Sequence, residues 1–485
     1  MSPAFRTRHN RSLLLAVILG AYLMIILDTS IVITALPSIH RDLHFSATGL
    51  SWVQNAYTLT FGGLLLLGAR AGDLLGRRRL FSLGIGLFTV ASMAGGLAPS
   101  ADVLLIARAL QGIGAAIAAP AALALLTTSF PEGPERGRAV ALYTAVAGGG
   151  GSVGLVLGGM LTEWASWRWG LFINVPVGAA LLWLGPRVLP ETPRRTGHFD
   201  FTGAITSTLG MTSLVYGFVR AAADGWSNTL TIASFVVSGV FLAGFLAAER
   251  RAKAPVVPLR LFASRERSGA FLARALVVSG MFGMFFFVTQ FLQGVLGFSP
   301  LQAGVAFLPT SAVLFAATQI VPRLAGRMND VRLIATGVSL ALIGMVWLSR
   351  LSEGTHYFPQ LAIPMALLGA GIGTALTPLT GAGIRGVAPE DAGAASGLVN
   401  VSQQIGASLG LSILITLFAS ASHTSADTGP RLAFANGVGT ALTGSAVFLA
   451  LGLAVVFVAL RPRAGKANAV EPSFGELDLD VDLAA

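Results

Sequence analysis

Hydrophobic residues in this chain fall into long runs separated by short polar breaks. About 20 apolar residues cross a bilayer. On that ruler the pattern predicts fourteen spans, at residues 12–36, 49–69, 80–98, 102–128, 138–161, 168–189, 201–220, 230–248, 269–293, 302–322, 332–350, 358–380, 395–420 and 437–460. An even number of spans puts both termini on one side. With the N-terminus taken as cytoplasmic, 25 of the 32 Lys and Arg fall in cytoplasmic loops and tails. Five fall in outer loops: Arg41, Arg168, Arg220, Arg350 and Arg431. Arg108 and Arg274 lie within or at the edge of spans. This bias follows the positive-inside rule. It also supports the span list, because one missed span would scramble every later loop. The expectation is a multi-pass plasma-membrane protein with both termini cytoplasmic.

Composition narrows the class without changing it. Of 485 residues, 54% are hydrophobic and 11% charged, and the mean hydropathy is +0.74. A soluble domain carries about 25% charged residues. The net charge of +10 would suggest nucleic acid for a soluble protein. Here it reads as charge sorting across a bilayer, so no nucleic-acid partner is expected. The absence of Cys excludes disulfides and thiolate metal sites. The 59 Gly suit helices that approach closely. Arg6, Arg8 and Arg11 precede an apolar run too long for a cleaved signal, so it is expected to be a retained first helix. The tail after Lys466, with Glu471, Glu476, Asp478, Asp480 and Asp482, is expected to be solvated and disordered.

Asp28 stands inside the first run with no charge beside it. A carboxylate at that depth costs about 2.5–3.5 kcal/mol on insertion scales. Such a residue points to a functional site, or else to an acid paired only to hold two helices together. Its candidate partner is Arg108 in span 4. Asp28 lies nine residues before Pro37, about 13 Å from the outer end at 1.5 Å per residue. Arg108 lies about 10 Å into span 4 from the same side. The alternative for Arg108 is snorkelling to the interface. Gln111, three residues on, shares the Arg108 face and completes a polar site.

Between spans 2 and 3 the loop holds Gly68, Gly72, Asp73, Gly76, Arg77, Arg78 and Arg79. Glycines permit a tight turn there. Asp73 can meet a helix N-terminus and neighbouring guanidiniums, making a latch on one conformation. A purely topogenic basic loop is the other reading. In span 5, Gly150, Gly154 and Gly158 recur every fourth residue. They form a small-residue stripe that serves close packing and leaves the helix deformable.

The loop between spans 2 and 3 resembles the loop 2–3 signature of the major facilitator superfamily. A weaker echo, Pro322 to Arg332, lies between spans 10 and 11, as parallel repeats would give. Arg108, Gln111, Gly112 and Gly114 resemble the family's span 4 motif. Gly154, Gly158 and Gly159 resemble the span 5 motif of its proton antiporters, except that Leu155 stands where that motif has Pro. Asp28 and Thr29 with Ala35, Leu36 and Pro37 resemble the first-helix motif of the fourteen-helix drug:proton antiporter branch. So do Trp52 to Tyr57 and Trp167 to Gly178. The resemblance covers the chain to about residue 463. It implies an all-α membrane protein of the major facilitator fold. Residues 12–189 and 269–460 would form two six-helix bundles. Two inserted helices would lie within 190–268, with a cytoplasmic N-terminus at 1–11 and an acidic tail at 461–485.

The second bundle is poor in charge but holds amides: Gln290, Gln293, Gln319, Asn400, Gln403 and Gln404. Met281, Met284 and Phe285 to Phe287 lie beside the first pair. This mixture suits a lipophilic ligand and equally suits interhelical hydrogen bonds. The expected substrate residues are Trp52, Asn55, Tyr57, Gln290, Gln293, Asn400, Gln403 and Gln404.

The expected function is proton-coupled export of lipophilic drugs or antibiotics. Asp28, Arg108 and Gln111 would couple protons, with no cofactor beyond the proton and a monomer as the working unit. A facilitator-fold importer or uniporter for a small metabolite is the alternative. An enzyme is disfavoured. The six His lie outside the expected spans, and neither H-E-x-x-H nor a P-loop occurs.

Overall fold

The structure, a computed structural model, describes residues 3–46, 49–130, 134–191, 201–251, 259–325, 327–387, 392–424 and 429–460. Among these residues regular structure is helical, with sixteen α-helices and two short 3-10 turns. In chain order they are α1 (Pro3–Leu43), α2 (Trp52–Leu75), α3 (Arg77–Gly96), α4 (Ala101–Ser129), α5 (Pro134–Trp164), α6 (Trp167–Phe172) and α7 (Asn174–Val188). Then come α8 (Phe201–Asp224), α9 (Thr229–Arg251), α10 (Arg265–Gly294), α11 (Pro300–Ala306) and α12 (Leu308–Ala325). The last four are α13 (Asp330–Leu348), α14 (Ala362–Ile384), α15 (Ala392–Thr424) and α16 (Pro430–Ala459).

Among the described residues, eleven segments are long and apolar enough to cross a membrane, by length and composition. The runs expected as spans 2, 5 and 7 form α2, α5 and α8, of 24, 31 and 24 residues. Two expected spans are broken. Span 6 is α6 and α7, divided at Ile173, and span 10 is α11 and α12, divided at Phe307. The first helix reaches beyond the expected 12–36 at both ends and runs through Pro37. Proline is tolerated inside membrane helices because neighbours can satisfy the freed backbone groups. His40 consequently sits on the last turn of α1 rather than in a loop.

Helices α1–α7 pack as one bundle and α10–α16 as a second. Small residues set the closest approaches. A Cβ on Gly114 of α4 would lie 2.7 Å from the Phe88 nitrogen of α3. In the second bundle, a Cβ on Gly337 of α13 would lie 2.6 Å from the Gly371 carbonyl of α14. The inserted pair lies to one side. Thr416 of α15 donates to the Phe218 carbonyl of α8 at 3.1 Å, and Trp52 of α2 meets Tyr216 of α8 with ring centroids 6.1 Å apart. α9 packs on α8, with Phe235 against Phe218 at 5.2 Å.

We call the end where α1 starts the near end and the other the far end. At the far end the bundles share one apolar core. It joins Val32, Leu36 and Ile39 of α1 and Leu155 of α5 to Phe287, Phe291 and Phe307 of the second bundle. In the near half the first bundle keeps a core of its own, around Ile18, Phe81, Phe88 and Leu125. Hydrogen bonds reinforce the far-end union. Gln293 donates to the Thr34 carbonyl at 3.0 Å, and Asn55 donates to Ser412 at 3.1 Å. Glu163 accepts from the Ser299 hydroxyl at 2.5 Å and from the Leu301 amide at 3.0 Å.

Candidate functional site

The path of α1 carries Asp28 against α4 and α7, where its side chain is fully buried. Asp28 Oδ2 accepts from Arg108 Nη1 at 2.5 Å. Asp28 Oδ1 accepts from Gln111 Nε2 at 2.9 Å and from Asn174 Nδ2 at 2.8 Å. Arg108 Nη1 also donates to Gln111 Oε1 at 2.8 Å, and Arg108 Nε to the Val53 carbonyl at 3.0 Å. Gln111 Nε2 reaches Ser92 of α3 at 2.7 Å. The Arg108 guanidinium lies 4.5 Å from the centre of the Tyr57 ring. Asp28, Arg108, Gln111 and Ser92 have no exposed surface, and Asn174 has almost none.

Helix spacing explains part of this site. Arg108 and Gln111 share one face of α4 by their separation of three. Gly112 lets α4 lie directly on α2, where a Cβ would intrude on the Tyr57 carbonyl. That approach brings the Val53 carbonyl within reach of Arg108. The chain break at Ile173 starts α7 at Asn174, which turns the Asn amide onto Asp28. Taken together, one carboxylate, one guanidinium and two amides form a buried network in which Arg108 Nη2 alone among the guanidinium nitrogens has no hydrogen-bond partner. A buried pair of this kind is costly to break from one side, by about 3–5 kcal/mol.

The expected depth match between Asp28 and Arg108 therefore ends in direct contact, although Pro37 does not mark the helix end used to measure it. Sequence reasoning missed Asn174 and Ser92. Asn174 lies inside the Trp167 to Gly178 stretch already singled out, and a lone amide in an apolar run was the available signal. Ser92 gave none, since single hydroxyls are common in membrane helices.

Span 5 glycines divide between two neighbours. Gly150, Gly154 and Gly158 face α1. A Cβ on Gly154 would lie 2.7 Å from Ser30 Cβ, and one on Gly158 2.6 Å from Ile31 Cα. Gly159 instead faces α11 of the other bundle, where a Cβ would lie 2.8 Å from Leu301 Cα. The Leu155 carbonyl meets Gly304 of α11, so the residue standing where Pro was expected lies on the seam between bundles.

The loop between α2 and α3 shrinks to Gly76, at φ 103°, a conformation open to Gly but strained for other residues. Gly68 sits where a Cβ would meet the α4 backbone, 2.8 Å from the Ala116 carbonyl carbon, whereas a Cβ on Gly72 would meet only Arg77 Cγ, at 3.8 Å. Arg77 donates to the Ala124 carbonyl at 3.4 Å, and Arg78 pairs with Glu191, just beyond α7, at 3.2 Å. The side chain of Asp73 lies outside the described residues. Glu191 is the acid that Arg78 pairs with, and the sequence reading missed it. An acid among near-end loops rich in arginine was its signal. The second bundle has a counterpart, in which Arg385 meets Asp330 and, at 3.3 Å, Glu266. The hydrogen bond to Asp330 pushes Arg385 further above the ordinary guanidinium range.

The eight expected substrate residues do not gather in one place. Asn55 and Gln293 lie in the far-end seam. Tyr57 lies under Arg108, and Trp52 faces α8. Gln290 is partly buried on α10. Gln403 accepts from Arg274 at 2.7 Å. Gln404 packs on Gly62 midway along α2. Asn400 is exposed.

Two bundles of long apolar helices are joined at one end, and the first holds a buried ion pair, an architecture that suits a membrane transport protein. The sequence matches the Major Facilitator Superfamily over residues 18–411, and the chain belongs to that superfamily. It is a transporter and not an enzyme. The puromycin resistance protein of Streptomyces alboniger is 45% identical over 409 residues, covering 83% of this chain and 81% of that protein. The cephamycin export protein of Amycolatopsis lactamdurans is 39% identical over 462 residues, covering 94% of each. Among solved structures, a bacterial homolog of the human lysosomal transporter Spinster has a TM-score of 0.66. It is 20% identical and covers 95% of this chain and 98% of its own, a likeness of fold.

Proposed function

We propose that this protein is a proton-coupled antiporter that exports lipophilic drugs or antibiotics across the plasma membrane. In this reading fourteen helices span the bilayer, both termini are cytoplasmic, and a monomer works alone. The observation that carries it is the fully buried Asp28–Arg108 pair, completed by Gln111 and Asn174. The printed functions of the relatives, puromycin resistance and cephamycin export, support the substrate class. The charge bias of the loops supports the orientation, with the near end cytoplasmic.

The cycle follows from the seam. With the far end joined and the near-half cores separate, the protein faces the cytoplasm. In this state Arg108 lies on Asp28 and occupies its Oδ2, which leaves no place there for a proton. Opening the far end separates α5 from α11 at Gly159 and Leu155. Because α5 is locked to α1 through Gly154 and Gly158, α1 moves with it and Asp28 withdraws from Arg108. With Oδ2 released by Arg108, Asp28 takes a proton from outside. Each inward proton brings about 2.3 kcal/mol per 100 mV of membrane potential.

Inside-out vesicles loaded with acid and an acid-quenched dye test the coupling. Adding puromycin should relieve quenching as protons leave in exchange. Transport of puromycin without dye release would instead identify a uniporter.

A further inference from the structure

The mechanism above leaves one buried cation unused. Arg274 lies nine residues into α10, about 13 Å along the helix, and is only 8% exposed. Its Nη1 donates to Thr380 Oγ1 of α14 at 2.8 Å, and its Nη2 to Gln403 Oε1 of α15 at 2.7 Å. Nη1 also donates to the Leu376 carbonyl at 3.5 Å, and all three partners are neutral. Its Nε is buried with no partner. Among the described residues, the acids on second-bundle helices are Glu266 and Asp330, both in first turns. An uncompensated guanidinium at this depth is costly, and hydrogen bonds to an amide and a hydroxyl do not neutralise it.

The surroundings point to what would. Arg274 is close enough to the Tyr22 phenol of α1 for the two to interact electrostatically. Tyr22 stacks on Tyr143 of α5 at 3.8 Å, the rings within 9° of parallel. The cation therefore sits in the near half, on a helix that packs beside the α1 helix carrying Tyr22. A group bound there touches both bundles, as an alternating-access site between repeats requires. Nε is free, and a carboxylate takes the Nε and Nη2 edge of a guanidinium in two parallel bonds.

We infer that Arg274, held by Thr380 and Gln403, is an anion subsite that receives the carboxylate of an amphipathic exported molecule while Tyr22 and Tyr143 receive its apolar part. This rests on the export reading and names one class among its substrates, those that carry a carboxylate. It places substrate charge on Arg274 and the proton on Asp28, so the two need not compete for one group.

The test is equilibrium binding without any pH gradient, using the full chain in phosphatidylcholine nanodiscs with empty nanodiscs as blank. The probes are 11-(dansylamino)undecanoate and its uncharged carboxamide, read by dansyl fluorescence. Wild-type protein should prefer the carboxylate by about tenfold, the worth of one charge-assisted pair. Arg274→Gln should bind both probes alike, at the wild-type affinity for the amide. Gln403→Glu, which supplies Arg274 with a carboxylate in place, should lose the preference in the same way and guards against misfolding of the first variant. A wild-type protein without the preference, or a preference surviving in either variant, overturns the inference. So does its abolition by chloride at physiological concentration with gluconate as control, which would mark a small-anion site. A carboxylate preference in a protein that releases no protons would leave the subsite standing and remove the antiport reading alone.

Discussion

Asp28 and Arg108 meet at 2.5 Å with neither side chain exposed. Each is the other's only opposite charge in that network, so removing one strands the other. Arg108→Gln should therefore lower stability by about 3–5 kcal/mol. Adding Asp28→Asn to it should restore part of the loss, because no charge is then left unpaired. Thermal unfolding of the two single variants and the double variant in detergent checks the sign of the coupling.

Asn174 holds Asp28 Oδ1 from α7 at 2.8 Å. Asn174→Leu removes a hydrogen bond to a charged group and should cost about 1.5–3 kcal/mol. Transport should slow while gradient-free substrate binding stays unchanged, since Asn174 touches the carboxylate alone. Parallel efflux and binding assays separate those two effects.

The two glycine faces of α5 should respond differently. Gly158→Ala forces a Cβ onto the α1 backbone, 2.6 Å from Ile31 Cα, and should reduce the yield of folded protein. Gly159→Ala pushes on Leu301 of α11 instead and should loosen the far-end seam. Because the chain has no cysteine, a single Val295→Cys, at the far end of α10 and partly buried against the shared core, can report that opening. It should label faster with a membrane-impermeant maleimide when Gly159→Ala is present. Gly151→Ala, whose Cβ would lie 3.7 Å from Ser30 Oγ, should stay within about 0.5 kcal/mol of wild type.

At the near end, Glu191 pairs with Arg78 at 3.2 Å, both about one-third exposed. Glu191→Gln should change stability by less than about 1 kcal/mol, since solvent screens exposed pairs. Its effect should fall on transport rate, because the latch ties the start of α3 to the chain beyond α7. Unfolding and initial-rate measurements on the same preparation distinguish the two.

Much of this was legible in the sequence because a bilayer makes polarity expensive. An acid and an arginine in apolar runs stand out, and helical rise alone placed Asp28 and Arg108 at similar depths. Gln111 followed from its spacing to Arg108. The breaks at Ile173 and Phe307 escape a reading by hydropathy alone, which is blind to a kink, although Pro176 and Pro309 in the first turns of α7 and α12 mark both helix starts. Asn174 and Glu191 became visible only once the chain reversals brought α7 back to α1 and α3. The expected substrate residues shared polarity but not position. Amides serve seams between helices as readily as ligands, and Asn55 and Gln293 turn out to stitch the bundles together. Arg274 was visible as a charge, but its lack of an acid depends on what α14 and α15 place around it.

The central claim is that Asp28 carries the proton, and purified Asp28→Asn in proteoliposomes tests it most directly. Puromycin uptake is followed under an imposed pH gradient and, separately, as counterflow with no gradient. The account predicts counterflow near the wild-type rate, because the neutral amide mimics the protonated acid, together with loss of gradient-driven accumulation. Accumulation driven by the pH gradient at the wild-type level would contradict it.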